Sequence, residues 1–141
     1  PSGVPRTVAG ESTRHSGYVA TMWERERYIS LVTFRRDGSA VETPVWFAEL
    51  GGRYYVFTEG DAYKVKRLRR NRDVRAAPCR MLGAVTGDWA SGTGRIIEDR
   101  ALIARAERAF EGKYGWQIHL FNFFSKLAGK YPKRAWLELT L

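Results

Sequence analysis

The sequence predicts a single mainly β domain, a small barrel of about six antiparallel strands with flanking helices. Two observations lead to this fold class. Short segments rich in β-branched and aromatic residues alternate in polarity, and strong turn signals such as Asp37-Gly38 and Gly51-Gly52 separate them. Helical spacing of apolar residues occurs in only a few segments between the strands, which disfavours a regular βαβ arrangement with a parallel sheet.

Each element follows from local periodicity. The predicted strands are 28–36, 39–50, 53–58, 74–81, 89–97 and 134–141, and the predicted helices are 64–70, 100–110 and 118–128. Pro44 interrupts the second strand and has no N–H for a ladder, so it predicts an edge, a bulge, or a place where the backbone meets something other than a strand. Asp61 is the predicted N-cap of the first helix.

Length and composition favour one globular unit. The chain has 141 residues, 44% of them hydrophobic, so it can bury a core without metal or disulfides. We expect residues 1–15 to form a flexible arm and 16–141 to form the domain. The single cysteine, Cys79, excludes an internal disulfide and fits a reducing cytoplasm. No apolar stretch reaches the roughly 18–20 residues that span a bilayer.

Charge narrows the class of partner. Twenty-four Lys and Arg residues stand against fifteen Asp and Glu residues, which gives a net charge of +9. Such a field attracts nucleic acid, a membrane surface, or a phosphorylated or polycarboxylate small molecule. The sign of the charge does not choose among these three.

Several kinds of active site are not expected. Neither His15 nor His119 has a Cys, His or carboxylate at metal-ligand spacing, so no zinc site is predicted. Cys79 has no evident partner base and is expected to be a small buried hydrophobe. The sequence contains no nucleophile motif, P-loop or dinucleotide fingerprint. An enzyme with this sequence would need a cofactor for its chemistry, and no catalytic acid or base is predicted.

The most basic segment is 64–72, in which six of nine residues are Lys or Arg. It begins a helix, and a helix start offers unpaired N–H groups and the positive end of the dipole, which together favour phosphate. A solvated face accounts for Arg69, Arg70 and Arg72. For Lys64, in the first turn, anion binding and a solvated position fit the spacing equally well.

A second candidate segment is Thr43-Pro-Val-Trp-Phe47, which lies beside the strand 54–58. The interrupted ladder at Pro44 leaves backbone groups that can meet the edge of a ligand. Trp46 can stack on a planar ring. A well-packed hairpin with aromatic core residues fits the same pattern.

In their order and spacing, these segments resemble the pyridoxamine 5′-phosphate oxidase-like split-barrel family, and within it the branch of deazaflavin-dependent oxidoreductases. The resemblance to the family rests on five segments, which are 28–36 with its Asp-Gly turn, Thr43 to Phe47, 54–58, Lys64-x-x-x-Leu68-x-x-Asn71 and 74–78. Two later segments, Ser-Gly-Thr-Gly-Arg95 and Lys113-Tyr-Gly-Trp116, resemble the deazaflavin-dependent branch. It covers residue 18 to the C-terminus. It implies a split β-barrel like that of FMN-binding proteins, assembled as a homodimer with cofactor sites at the interface.

The resemblance also implies roles for individual residues. The strand that lines the isoalloxazine edge in the family is matched by Thr43, Pro44, Val45 and Trp46. Thr58 matches a threonine near the cofactor, and Lys64 matches the lysine that binds the cofactor phosphate. Further candidates for binding that phosphate are Lys66 and Arg67.

Two departures from the FMN-using oxidases bear on the cofactor. Glu42 stands where those enzymes carry a phosphate-binding arginine, and Ala62-Tyr63 replaces their Ser-Arg. Because a carboxylate beside a phosphate is unfavourable, the resemblance favours the deazaflavin coenzyme F420, with FMN as the alternative. The polyglutamate tail of F420 also suits a basic groove.

The expected function is that of a cytoplasmic, homodimeric oxidoreductase that transfers hydride between F420 or FMN and a conjugated small organic molecule. Two alternatives remain at this stage. A flavin-binding or storage protein without turnover would share every motif. A nucleic-acid-binding domain would use the net charge, although the basic residues concentrate near one helix start and no nucleic-acid motif is present.

Overall fold

A computed structural model describes residues 23–60, 62–115, 117–119 and 134–141, and these residues form one antiparallel sheet with helices packed on it. The strands are β1 (Tyr28–Phe34), β2 (Ala40–Val45), β3 (Ala48–Leu50), β4 (Arg53–Glu59), β5 (Asp73–Cys79), β6 (Ala90–Ile97) and β7 (Arg134–Thr140). The helices are α1 (Tyr63–Arg70) and α2 (Arg100–Tyr114). Residues 117–119 are helical; the rest of the predicted helix 118–128 and the predicted arm 1–15 lie outside the described residues.

The strand order makes the sheet curve. The order is β2-β1-β5-β6-β7-β4-β3, and every neighbouring pair is antiparallel. β2 and β3 therefore lie at opposite edges of the sheet, yet only Trp46 and Phe47 separate them along the chain. The two edges must come together at this point, but among the described strands no ladder joins β2 to β3. The result is an incompletely closed barrel.

The mainly β class with about six antiparallel strands is confirmed, and the structure has seven strands among the described residues. The predicted strand 39–50 is two strands, because the chain leaves the ladder at Trp46 and Phe47. At this break the Phe47 N–H donates to the Tyr114 hydroxyl over 3.1 Å. That hydroxyl lies 3.0 Å from the Phe47 carbonyl oxygen and 2.8 Å from that of Arg27, so it can donate to either.

Pro44 lies on the outermost strand of one edge, β2, opposite Ser30 of β1. Of the three alternatives that its missing N–H predicts, the structure shows the edge position. Proline is tolerated there because the strand has a partner on one side only, so that a missing donor need not break a ladder.

The interior of the curved sheet holds the main hydrophobic core. Alternate residues of the strands point into it, as Ile29 and Leu31 do from β1 and Tyr54 and Val56 from β4. The remaining members are Trp23, Phe47, Leu68, Val74, Ala76, Ala90, Leu137 and Leu139.

A second core lies between the outer face of the sheet and α2. Phe110 and Tyr114 of the helix pack against Tyr55 and Trp136, which point outward from β4 and β7. The helix starts where the Asp99 carboxylate accepts hydrogen bonds from the N–H groups of Ala101 and Leu102. It runs one turn beyond the predicted end, which brings Tyr114 to the break between β2 and β3.

Glu138 of β7 is a buried acid on this outer face. It accepts hydrogen bonds from the Tyr55 hydroxyl and from Arg95 Nε, each with a donor–acceptor distance of 2.7 Å. Burial alone would raise the pKa of its carboxyl, but the two hydrogen bonds and the charges of Arg95 and Arg53 outweigh burial and lower it. The carboxylate stays ionised and links β7 to its neighbours β4 and β6.

The approach of β7 to β6 requires a glycine. A methyl group placed on Gly92 would lie 1.9 Å from the Thr140 carbonyl oxygen and 2.8 Å from the Leu141 Cα. These neighbours are backbone atoms, so a side chain here would have to push the strands apart.

We therefore expect Gly92→Ala to lower the free energy of unfolding by about 1–3 kcal/mol, because it overpacks the contact between two strands. Gly112→Ala is the matched control, since Gly112 lies in α2 with nothing within 4 Å of its added methyl. The control should leave stability unchanged or raise it by about 0.5–1 kcal/mol through helix propensity. Urea denaturation of both variants measures the difference, and a Gly92→Ala protein as stable as the parent would contradict the close approach.

Candidate cofactor-binding site

Helix α1 lies across one end of the barrel. It follows β4 directly, and because β1 and β4 run in the same direction the end of β1 lies at the same end of the barrel. Val65 and Leu68 are its buried residues. Leu68 packs over Gly94 of β6, where an added methyl would lie 3.5 Å from Leu68 Cδ2, an ordinary contact, but only 3.0 Å from Leu139 Cδ2. The helix is thereby fixed over the ends of β1 and β4.

The structure brings Lys64 and Thr58 together. Thr58 continues the inward-facing alternation of Tyr54 and Val56, and its Oγ1 lies 3.5 Å from Lys64 Nζ. Lys64 is half-buried, and burial together with the charge of Arg67 lowers the pKa of its ammonium group, against the opposite effect of Glu59. The surroundings of Lys64 therefore disfavour its charged form.

Arg67 flanks the same side of the helix, one turn after Lys64. Its Nε donates a 2.7 Å hydrogen bond to the hydroxyl of Thr33, a buried residue near the end of β1. Burial and the charges of Arg35 and Arg70 lower the pKa of Arg67. Lys64 and Arg67 thus place two partly desolvated cations beside two hydroxyl groups.

The first turn of α1 contains no acidic residue. Ala62 is the N-cap residue, and among the described residues no side chain caps the helix. The predicted N-cap at Asp61 is wrong by one position, because the N-cap residue is Ala62 and the helix starts at Tyr63; Asp61 itself lies outside the described residues. The first-turn N–H groups and Lys64 can therefore act on the same anion.

The other basic residues of the segment point elsewhere. Lys66 is exposed, and its Nζ lies 5.2 Å from the centre of the Tyr63 ring. Arg69 is also exposed. Arg70 and Arg72 are exposed but contact the sheet. Arg70 donates a 3.1 Å hydrogen bond to the Phe34 carbonyl, and Arg72 Nε lies 3.5 Å from the Gly94 carbonyl oxygen.

The segment from Thr43 to Trp46 spreads its side chains over both faces of the sheet. Thr43 pairs with Leu31 and shares the inward face on which Thr33 meets Arg67. Val45 packs partly against the inner core. Pro44 is exposed, and Trp46 stacks on Tyr114 with ring centres 4.6 Å apart and planes inclined by 13°.

Glu42 lies on the opposite face of β2 from Thr43. Its register partner is Val32, and its carboxylate lies 3.4 Å from the Ser30 hydroxyl. Glu42 is therefore not on the face that carries Thr33, where Arg67 binds.

Sequence reasoning did not find Thr33 or Tyr114. A usable signal exists for Thr33, because it falls in phase with Ile29 and Leu31, and a hydroxyl at an inward position requires a polar partner. Tyr114 gives a weaker signal. It follows Phe110 at helical spacing, but nothing local shows that its hydroxyl meets the backbone of Phe47.

The remaining polar groups do not form a metal site within the described residues, where no three His, Cys, Asp or Glu side chains cluster. Cys79 is buried, as predicted, and burial raises the pKa of its thiol. His15 lies outside the described residues and His119 is exposed. Of the helices in the described part, none is long and apolar enough to cross a membrane.

No protein-family profile matches the chain, and no curated protein matches its sequence significantly. Solved structures do resemble it. A conserved hypothetical protein from Mycobacterium tuberculosis has a TM-score of 0.66 at 19% identity, over 86% of this chain and 77% of that one. The heme storage protein HutZ from Vibrio cholerae has a TM-score of 0.63 at 14% identity, over 87% of each chain.

A proposed pyridoxamine 5′-phosphate oxidase from Listeria innocua has a TM-score of 0.59 at 12% identity, over 89% of this chain and 91% of that one. At these identities the likeness concerns the fold. It agrees with the incompletely closed seven-stranded sheet and with the resemblance found in the sequence. The chain has the split-barrel fold of the pyridoxamine 5′-phosphate oxidase-like proteins.

Proposed function

We propose that this chain is an oxidoreductase that transfers hydride between a bound deazaflavin, coenzyme F420, and a conjugated organic substrate, with FMN as the alternative cofactor. The observation that carries the proposal is the pairing of Lys64, in the first turn of α1, with Arg67 one turn later, two half-buried cations beside Thr58 and Thr33. When bound, the ring of the cofactor supplies the hydride chemistry.

The residues present fit a phosphate group. Lys64 and Arg67 repel each other and are partly desolvated, and each of these effects lowers the pKa of Lys64. A phosphate between them would offset both the repulsion and the loss of hydration, because charge-assisted hydrogen bonds are stronger than hydrogen bonds between neutral groups. The hydroxyl of Thr58 offers a further donor to the same oxygen atoms.

The dimensions of β2 fit the ring system. A strand rises about 3.3 Å per residue, so Thr43 to Trp46 covers about 10 Å, comparable to three fused six-membered rings. Among the described strands, β2 has a neighbour on one side only. Its outer edge, next to Pro44, can therefore receive the polar edge of the ring. In this proposal Thr43, Pro44, Val45 and Trp46 contribute mainly backbone.

The preference for F420 rests on charge beyond the phosphate. Lys66, Arg69 and Arg36 are exposed cations at the same end of the barrel. One phosphate does not require them, whereas a tail of several carboxylates would. Glu42 adds less to this preference than the sequence suggests, because it faces away from Thr33.

Assembly is part of the proposal. The resemblance implies a homodimer in which each cofactor site includes residues of both chains, and the exposed edge strand β2 supports an arrangement that covers it. In the dimer, the chain's own contribution is to bind the phosphate, orient the ring and exclude water from it.

Binding without turnover is the second candidate. The observation that favours it is the likeness to a heme storage protein, alongside the likeness to a proposed oxidase. Absorbance changes during anaerobic mixing of the reduced holoprotein with candidate substrates separate the two functions, since a storage protein would show no oxidation of its cofactor.

Replacing the proposed phosphate anchor tests the site. Lys64→Ala should weaken cofactor binding by about ten- to a hundredfold, because a charge-assisted contact contributes roughly 1.5–3 kcal/mol. Arg108→Ala is the control, as it removes an exposed cation from α2, which lies away from this site. Calorimetric titration of both folded variants with F420 and with FMN gives the comparison. Equal affinities for the two variants would remove Lys64 from the site.

The choice of cofactor has its own test. F420 should bind more tightly than FMN, and its advantage should shrink as salt screens the contacts between the exposed cations and the tail. Fluorescence titrations with both cofactors at low and moderate salt measure this. FMN that co-purifies with the protein, or that binds more tightly at every salt concentration, would reverse the preference.

A further inference from the structure

A second pair of cations lies at the end of the barrel opposite α1. Lys113 is in the last turn of α2, and Arg27 directly precedes β1. Lys113 Nζ lies 5.4 Å from the centre of the Tyr114 ring, and the guanidinium carbon of Arg27 lies 5.1 Å from it. Because α1 lies over the end of β1, whereas Arg27 precedes its start, this pair is distinct from Lys64 and Arg67.

Lys113 has an aromatic partner but no anionic one. The residue is half-buried, and its Nζ lies 3.3 Å from the centre of the Phe47 ring, which is fully buried. Within the described part of the chain, no acceptor lies within hydrogen-bonding distance of Nζ and no carboxylate lies within ion-pair distance. The ring face stabilises the ammonium group on one side, and the N–H donors of Lys113 remain available on the other.

Arg27 is exposed but held in place. Its guanidinium donates to the side-chain carbonyl of Gln117, and its own carbonyl oxygen lies 2.8 Å from the Tyr114 hydroxyl. A guanidinium group has five N–H donors, so the contact with Gln117 leaves most of them available. Neutral groups therefore position this cation without offsetting its charge.

The charges of this cluster favour a ligand with one negative charge. Burial and the charge of Arg27 lower the pKa of Lys113 to about 8, against the opposite effect of Glu26. Lys113 therefore stays largely protonated at pH 7, in surroundings that disfavour its charge. Two cations and the carboxylate of Glu26 leave a local excess of one positive charge.

We infer that Lys113 and Arg27 bind the carboxylate group of a small organic acid. One carboxylate can accept hydrogen bonds from the ammonium group of Lys113 and from the planar guanidinium of Arg27. Its single charge matches the local excess, whereas a phosphate dianion would place a second negative charge near Glu26. The inference does not depend on the identity of the cofactor or on turnover.

Amide NMR titration of the full chain at constant ionic strength tests the inference, with benzoate as the probe. Benzoate should shift the signals of Lys113, Tyr114 and Gln117. Lys113→Gln should weaken binding by about tenfold or more, as expected for the loss of a charge-assisted contact. Arg27→Gln should weaken it by about two- to fivefold, because the cation is exposed. Arg108→Gln removes an exposed cation from α2 and is the control, which should bind like the parent.

Three comparisons complete the experiment. Benzamide, the neutral analogue, should leave these signals unchanged, and inorganic phosphate should bind there more weakly than benzoate. Lys64→Ala should bind benzoate like the parent, which separates this site from the proposed cofactor site. The inference is wrong if benzamide or phosphate binds as tightly as benzoate, if Lys64→Ala weakens benzoate binding, or if Lys113→Gln or Arg27→Gln binds like Arg108→Gln.

Discussion

Residues 40–50 supply both edge strands of the sheet, β2 and β3, and the rest of the fold depends on this constraint. β2 and β3 are separated by Trp46 and Phe47 alone, so the seven strands between and including them must curve until the edges meet. The edges do not pair. Instead, the Tyr114 hydroxyl takes the place of a strand partner at the break, because it accepts from the Phe47 N–H and can donate to the carbonyl of Phe47 or to that of Arg27, just before β1. α2 must therefore lie where it does for the barrel to hold its shape.

The same curvature creates the candidate site. Bending the sheet brings the end of β1 and the end of β4 to one rim, and α1 spans that rim. Lys64 then reaches Thr58 of one strand while Arg67 reaches Thr33 of the other. The two cations are near each other because the helix has one buried side, set by Val65 and Leu68, and one turn separates them along the helix. Packing thus fixes a repulsive pair of charges that an anion would stabilise.

Much of this was predictable from the sequence because the signals are local. Turn residues and alternating polarity defined the strands to within a few residues, and Lys64 was placed near Thr58 through the resemblance to a known family. What could not be predicted depends on contacts distant in sequence. The pattern of 39–50 remains strand-like through Trp46 and Phe47, so the break becomes visible only with Tyr114 in place. Likewise, Trp46 was expected to offer a stacking surface, yet one face of it packs on Tyr114. The predicted cap at Asp61 was wrong by one position, because the helix takes Ala62 as its N-cap residue.

The central claim is that the rim under α1 holds the phosphate of a flavin-type cofactor. A crystal structure of the full chain grown with F420, and a second grown with FMN, tests it most directly. The account predicts phosphate density within hydrogen-bonding distance of Lys64 Nζ and the Thr58 hydroxyl, with the ring lying along Thr43 to Trp46. A phosphate bound elsewhere, for example at Arg53 and Arg95 on the outer face, with the rim around Lys64 unchanged, would contradict the account.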